Sequence, residues 1–232
     1  MRRFYSTAAW QTAENGYAIT LDDKPVMTPD RARLTVPSRT LADALVAEWQ
    51  AQGAKIEPAS MPMTGFANAA IDKVASAPDN FIATIAAYGE SDLLCYRAEG
   101  PSPLVARQAK SWDPLLDWAS SRYDIAFVQV SGIMHRPQPD ATLSRLRDAV
   151  GARSVFELAA ISKLVSLSGS LVITLALVEG HSAAADLWER SCVDEIWQAE
   201  LWGEDEYAQR HRSDREHDFL EAARFLNLAQ DK

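Results

Sequence analysis

The sequence predicts an α+β chain, with a small N-terminal β-rich domain followed by a larger, mainly helical C-terminal domain. Three observations carry this. The first forty residues alternate polar and apolar positions between turn signals. From residue 101 onward, apolar residues recur mostly at helical spacing. Strands and helices therefore occupy separate blocks, which is the α+β arrangement. Pro101–Pro103 is the natural linker, giving domains of residues 1–100 and 101–232.

Tyr17, Ile19 and Leu21 alternate with Ala18 and Thr20, as a half-buried strand does. Asp22-Asp23 interrupts, and Lys24–Thr28 resumes an extended pattern, so a hairpin is expected. Leu34–Val36, before Pro37, reads as a third strand. Thr40 and Asp43 have capping-box spacing, and Leu41, Leu45 and Trp49 follow at i, i+4, i+8 up to Gly53. Ile56–Pro62 reads as a loop bounded by prolines. Phe66, Ala70 and Val74 mark a second helix, and Phe81, Ile85 and Tyr88 a third that ends at Gly89. Leu93–Tyr96 reads as a short apolar strand.

Beyond the linker, Leu104–Lys110 and Pro114–Arg122 read as two helical stretches, and Asp124–Val130 as one more strand. Pro137 and Pro139 open a helix carrying Leu143, Leu146 and Val150. Val155–Ile161, Leu164–Val178, Ala183–Leu201 and Glu204–Leu226 complete the helical half. Ser166, Ser170 and Thr174, at i, i+4, i+8, form a small-residue face that lets a neighbouring helix come close.

Composition excludes several function classes. The 232 residues are 47% apolar and 24% charged, enough for a real core. A net charge of −9 without a Lys/Arg run argues against nucleic-acid binding, which needs a basic face. The longest apolar run, Leu164–Val178, is interrupted by serines and is too short to span a bilayer, so no membrane insertion is expected. Cys95 and Cys192 read as buried thiols of a reducing compartment.

No phosphate-cradling glycine motif and no nucleophile elbow occurs; Ser168-Gly169-Ser170 resembles the latter only superficially and reads as part of a buried helix. His135, His181, His211 and His217 stand in no metal-binding spacing, and no cofactor is expected. Glu204-Asp205-Glu206 lacks the alternating ligands of a calcium loop and suits a helix N-terminus better.

The segment Leu187–Gly203 carries more information. Trp188, Cys192, Ile196, Trp197 and Leu201 spread over an arc wider than one buried stripe needs. Either the helix is buried almost all round, or part of its apolar surface meets something outside the chain. Tryptophan beside fixed acids and amides (Asp194, Glu195, Gln198, Glu200, Trp202) is the mixture found at interaction hot spots. The competing enzymatic reading is a small acid–base hydrolase using carboxylates of the 194–205 region, Asp194 or Glu200, in a cleft.

The string Asp194-Glu195-x-Trp197-Gln198-x-Glu200-x-Trp202-Gly203-Glu204-Asp205 resembles the signature region of the ATP synthase assembly chaperones that handle the α subunit of the catalytic sector. Further matches run through nearly the whole chain in order. They include Lys24-Pro25-Val26-x-Thr28-Pro29, Ala47-Glu48-Trp49-x-Ala51-Gln52-Gly53, Asp92–Arg97, Gln108-x-x-x-Trp112-Asp113-Pro114-Leu115-Leu116-x-Trp118 and Ser168–Leu171. The resemblance implies a non-enzymatic protein, monomeric when free, that binds the unassembled α subunit and keeps it from aggregating until it pairs with the β subunit. It also implies a functional acid in the signature helix, with Glu195 first, then Asp194 and Glu200, beside Trp197, Gln198 and Trp202. The expected location is the cytoplasm of a bacterium, or the mitochondrial matrix for a processed organellar form. A third possibility is a subunit that stays in the finished complex.

Overall fold

A computed structural model describes residues 1–203 and 205–231. In chain order the elements begin with β1 (Ala8–Ala13), β2 (Gly16–Leu21), β3 (Lys24–Pro25) and β4 (Thr35–Val36). Next come α1 (Arg39–Gln50), α2 (Pro62–Ala69), α3 (Pro78–Ala86), β5 (Tyr96–Arg97), α4 (Ser102–Tyr123), β6 (Val130–Ser131) and α5 (Asp140–Gly151). The C-terminal helices are α6 (Val155–Ser168), α7 (Leu171–Val178), α8 (Ala184–Ser191), α9 (Val193–Trp202) and α10 (Glu206–Gln230). The α+β class holds, with the sheet at the N-terminal end and helices after it. The residues form two compact units: one from Met1–Pro78, Ser154–Ala160 and the chain from Glu221, the other from Asp79–Arg153 and Ile161–Leu220.

The first unit is built on an antiparallel sheet with β2 in the middle, β1 on one side and β3 and β4 on the other. Strand β1 pairs from Ala8 opposite Leu21 to Ala13 opposite Gly16; its alanines and Gln11 left no strand signal of their own. The expected hairpin joins β2 to β3 through Asp22 and Asp23, both at positive φ, as a tight two-residue turn requires. Gly16 is needed for its lack of a side chain: a Cβ there would sit 2.2 Å from the Val36 carbonyl oxygen. Helix α1 is capped by Ser38, whose Oγ accepts from Leu41 N–H at 3.1 Å. Asp43, expected to cap with Thr40, instead accepts the Trp10 indole N–H at 2.6 Å. The α1 carboxylate of Glu48 accepts the first free amides of α2, Met63 N–H at 2.6 Å and Thr64 N–H at 2.8 Å. Burial nonetheless raises the Glu48 carboxyl above the usual range. Ile19, Leu34, Leu41, Leu45, Met63 and Phe225 are fully buried here, with Phe225 against Phe66 at 5.1 Å.

The second unit corrects several sequence expectations. Leu93–Cys95 is a single 3-10 turn, and only Tyr96–Arg97 is strand, paired parallel to Val130–Ser131. Most of Asp124–Val130 is therefore not strand. Residues 102–123 form one helix with Pro114 inside it. Leu164–Val178 is two helices: Gly169 takes a left-handed φ of +68° and Ser170 caps α7 through Ile173 N–H. Ser168-Gly169-Ser170 is thus a helix junction, and Ser166, exposed on α6, shares no helix face with Thr174 on α7. Ala183–Leu201 also divides, at Cys192, into α8 and α9.

Every residue of α7 is buried. Its N-terminus is held by Asp92, a buried carboxylate that accepts from Ser170 Oγ at 2.7 Å, Val172 N–H at 2.9 Å and Leu94 N–H at 3.0 Å. One carboxylate thereby caps α7 and the 3-10 turn together. Burial outweighs these donors and pushes its pKa up to about 6. Trp112 is fully buried on α4 and donates its indole N–H to the Arg190 carbonyl at 2.8 Å, joining α4 to the end of α8.

Candidate functional site

Helix α9 is ten residues long and carries all six candidate residues. A helix this short is marginal alone, so packing against α4, where Val193 is buried, holds it together with its side-chain ties. Each of its three carboxylates is engaged within the second unit. Asp194 accepts from the Gln108 amide at 2.7 Å. Gln108 is itself buried, and its carbonyl oxygen accepts Ala98 N–H at 2.8 Å. This buried amide therefore links α9 to the chain just after β5. Glu200 accepts from the two terminal guanidinium nitrogens of Arg107 on α4, Nη1 at 2.6 Å and Nη2 at 2.9 Å. Arg107 holds the Glu200 carboxyl below the usual range. Glu195 accepts from Arg215 of α10 at 2.8 Å, and that guanidinium also reaches the Leu167 carbonyl at 3.2 Å and lies over the Trp188 ring at 5.2 Å.

The tryptophans separate cleanly. Trp188 is core, packed on Phe219 at 5.4 Å. Trp197 is half-buried. Trp202 is 81% exposed, with Leu201 54% and Tyr207 80% exposed close by in sequence. Gly203 ends α9 at positive φ, its N–H on the Ala199 carbonyl. Glu204, the next acid of the signature string, lies outside the described residues.

Two grooves flank α9. Glu195, Gln198, Ala199 and Trp202, at i, i+3, i+4, i+7, share one face. With Asp205, Ala208 and Arg212 they line a groove of about 330 Å³. On the other side Val193 and Ile196 face Arg107, Lys110, Asp186, Glu189 and Arg190 around about 340 Å³. The structure thus gathers Glu195, Gln198 and Trp202 along one groove. It separates from them Asp194, turned to Gln108, and Glu200, turned to Arg107. Gln108 stands in one of the matching motifs, but its tie to Asp194 has no signal in the sequence. Arg107 and Arg215 are sequence-silent, since basic residues at helical spacing occur on most surface helices.

Among the described residues, no cluster of three His, Cys, Asp or Glu side chains could hold a metal ion. Asp194 and Glu200 do not converge on a shared cleft. A carboxylate that Arg107 keeps ionised is also poorly suited to donate a proton. The groove beside α9 presents an exposed indole, a neighbouring amide and a carboxylate that Arg215 holds in place.

A model of the ATP12 chaperone protein family matches residues 2–120. The chain belongs to the ATP12 chaperone family. It is therefore a member of a family of ATP synthase assembly chaperones, in agreement with the sequence resemblance. The crystal structure of Atp12 from Paracoccus denitrificans is similar with a TM-score of 0.95 and 39% identity, covering 99% of this chain and 98% of that one. A mutant of P. denitrificans Atp12p gives a TM-score of 0.96 at 38% identity, with the same coverage. The Schizosaccharomyces pombe protein atp12, described as mitochondrial, is 22% identical over 214 residues, 87% of this chain and 74% of its own length. Among the described residues, no helix of this ATP12-family chain is long and apolar enough to cross a membrane.

Proposed function

We propose that this ATP12-family chaperone binds the unassembled ATP synthase α subunit through α9, acting by contact and not by catalysis. In this reading it protects that subunit from aggregation until the β subunit replaces it. The observation that carries the proposal is the exposure of Trp202 on a helix whose acids are each fixed by an intramolecular partner. A large indole left in solvent carries an unused desolvation gain that a partner surface recovers. An unassembled subunit exposes apolar surface later buried in its complex, and such surface is what a chaperone must cover and then release.

Glu195, Gln198 and Trp202 make the direct contacts in this proposal. Asp194 holds α9 through the buried Gln108, Glu200 adds only a solvent-exposed pair with Arg107, and Trp197 supports the helix from its half-buried position. The chaperone is monomeric when free and works in the bacterial cytoplasm, or in the mitochondrial matrix for an organellar relative. The test is sizing chromatography of purified α subunit mixed with the chaperone. A complex is expected with the wild type, and Trp202→Ala should weaken it by about tenfold or more, as loss of a central indole anchor does. No co-elution with the wild type would refute the proposal. Unchanged binding by Trp202→Ala would refute the placement on α9.

A further inference from the structure

A second surface, within the first unit, has the makings of a binding site that the α9 proposal does not use. Met1, Phe4, Tyr5, Leu21, Asp22, Lys24, Pro25, Val26, Met27 and Trp49 line a groove of about 270 Å³. Its walls are rigid. Tyr5 donates its hydroxyl to the Trp49 carbonyl at 2.6 Å, and its ring meets Trp49 and Phe4 edge-on at 5.7 and 5.5 Å. Arg3 lies over the Tyr5 ring at 4.7 Å and donates to the carbonyls of Tyr5, Ser6 and Gln52. Beneath, Tyr5, Leu21, Ile56 and Met61 form a buried cluster on which Val26 and Trp49 rest. Yet Phe4 and Met27 are 65% and 49% exposed. An aromatic ring and a thioether left in solvent beside a formed groove are the surface features a ligand covers.

In a chain whose net charge is −9, the groove's lining carries one basic side chain, Lys24, and one carboxylate, Asp22. Arg33 stands opposite Met27 in an antiparallel bridge, and Lys55 stands opposite Arg2 in another, next to Met1. Among the described residues, none of Arg2, Lys24, Arg33 and Lys55 forms an ion pair within 4 Å. The groove's one lining carboxylate, Asp22, is held by Thr7 N–H, Ser6 N–H and the Thr7 hydroxyl, which together with the weaker pull of Lys24 keep its pKa below the usual range. Asp23 follows it in the turn and stays exposed.

We propose that this groove binds an extended apolar segment of another polypeptide that carries carboxylates, its apolar side chains between Phe4 and Met27 and its acids against Lys24 and Arg33. The concave shape and walls favour a peptide over a membrane surface, which a flat or convex patch would suit better. Charge complementarity at the rim sets which segments enter.

The test uses fluorescence anisotropy with two fluorescein-labelled peptides, acetyl-Leu-Phe-Glu-Val-Asp-Leu and its counterpart with lysine in place of both acids. The full chain should bind the acidic peptide about tenfold more tightly than the basic one, a difference of order 1.4 kcal/mol. Met27→Asp should weaken it by a similar factor, and Lys24→Glu with Arg33→Glu should invert the preference. Met27 is exposed, so the fold should survive. If circular dichroism shows otherwise, Phe4→Ser serves the same purpose. Failure to bind, equal binding of both peptides, or indifference to Met27→Asp and Phe4→Ser would overturn the proposal. So would a concentration-dependent dimer abolished by Met27→Asp, which would make a second copy the occupant. Binding to phosphatidylglycerol vesicles in place of the peptide, abolished by Met27→Asp, would also overturn it.

Discussion

Asp92 and the carboxylates of α9 belong to the same compact unit and are held in opposite ways. Asp92 is wholly buried and accepts from one hydroxyl and two backbone amides that belong to two different helical starts. Glu195 and Glu200 are about half exposed and each meets one arginine. A buried acceptor with several donors cannot be replaced by water, so losing it strands those donors. An exposed ion pair competes with water and salt, so losing it costs little stability. The contrast is one of stability: Asp92 holds the fold, while the pairs of Glu195 and Glu200 add little to it.

The sharpest way to break this contrast is Asp92→Asn. The amide must aim its NH₂ at Val172 N–H or at the Ser170 and Leu94 donors, placing donor against donor. We expect a loss of about 2–4 kcal/mol in urea unfolding. If the loss stays within a few tenths of a kcal/mol, the buried junction is not what holds α7. Ser170→Ala should cost less, about 1–2 kcal/mol, since it removes the cap of Ile173 N–H and one donor to Asp92.

The pH dependence follows from the same group. Burial pushes the Asp92 pKa up to about 6 in the folded chain, above the ordinary aspartate value of about 4. Between these values the folded state binds more protons than the unfolded one. This group therefore makes stability fall as pH rises from about 4 to 6, and leaves it level beyond. The other shifted carboxyls titrate alike in both proteins, so the stability of the wild type relative to Asp92→Asn should fall across that range. A profile unchanged by Asp92→Asn would mean the carboxyl titrates as usual. At the small end, Glu200→Gln should leave the melting temperature nearly unchanged, because its pair with Arg107 lies in solvent. A large drop in differential scanning calorimetry would show that α9 depends on that pair.

How legible these regions were follows from the length scale of their signals. Helix α1, the β2–β3 turn and α5 announce themselves through period and turn chemistry, which are local. The junctions of the second half do not. Gly169-Ser170 lies inside an apolar stretch that scores as continuous helix, and only Asp92, 78 residues earlier, shows that α7 begins there. Pro114 suggested a break in α4, yet the helix runs through it. Leu93–Cys95 is apolar enough for a strand, but Asp92 caps it as a 3-10 turn. In the site, the residue types were legible and their surroundings were not. Trp188 and Trp202 look alike in sequence, and tertiary packing alone buries the first and leaves the second in solvent.

The central claim is that α9 is a contact surface for the unassembled α subunit, and light scattering tests it most directly. Purified α subunit is diluted from denaturant with and without the chaperone, and with Glu195→Lys and Trp202→Ala variants whose folding is checked by circular dichroism. Near-stoichiometric suppression by the wild type, lost in both variants while Glu200→Gln keeps it, is the predicted result. No suppression by the wild type, or full suppression by the two variants, would contradict the account.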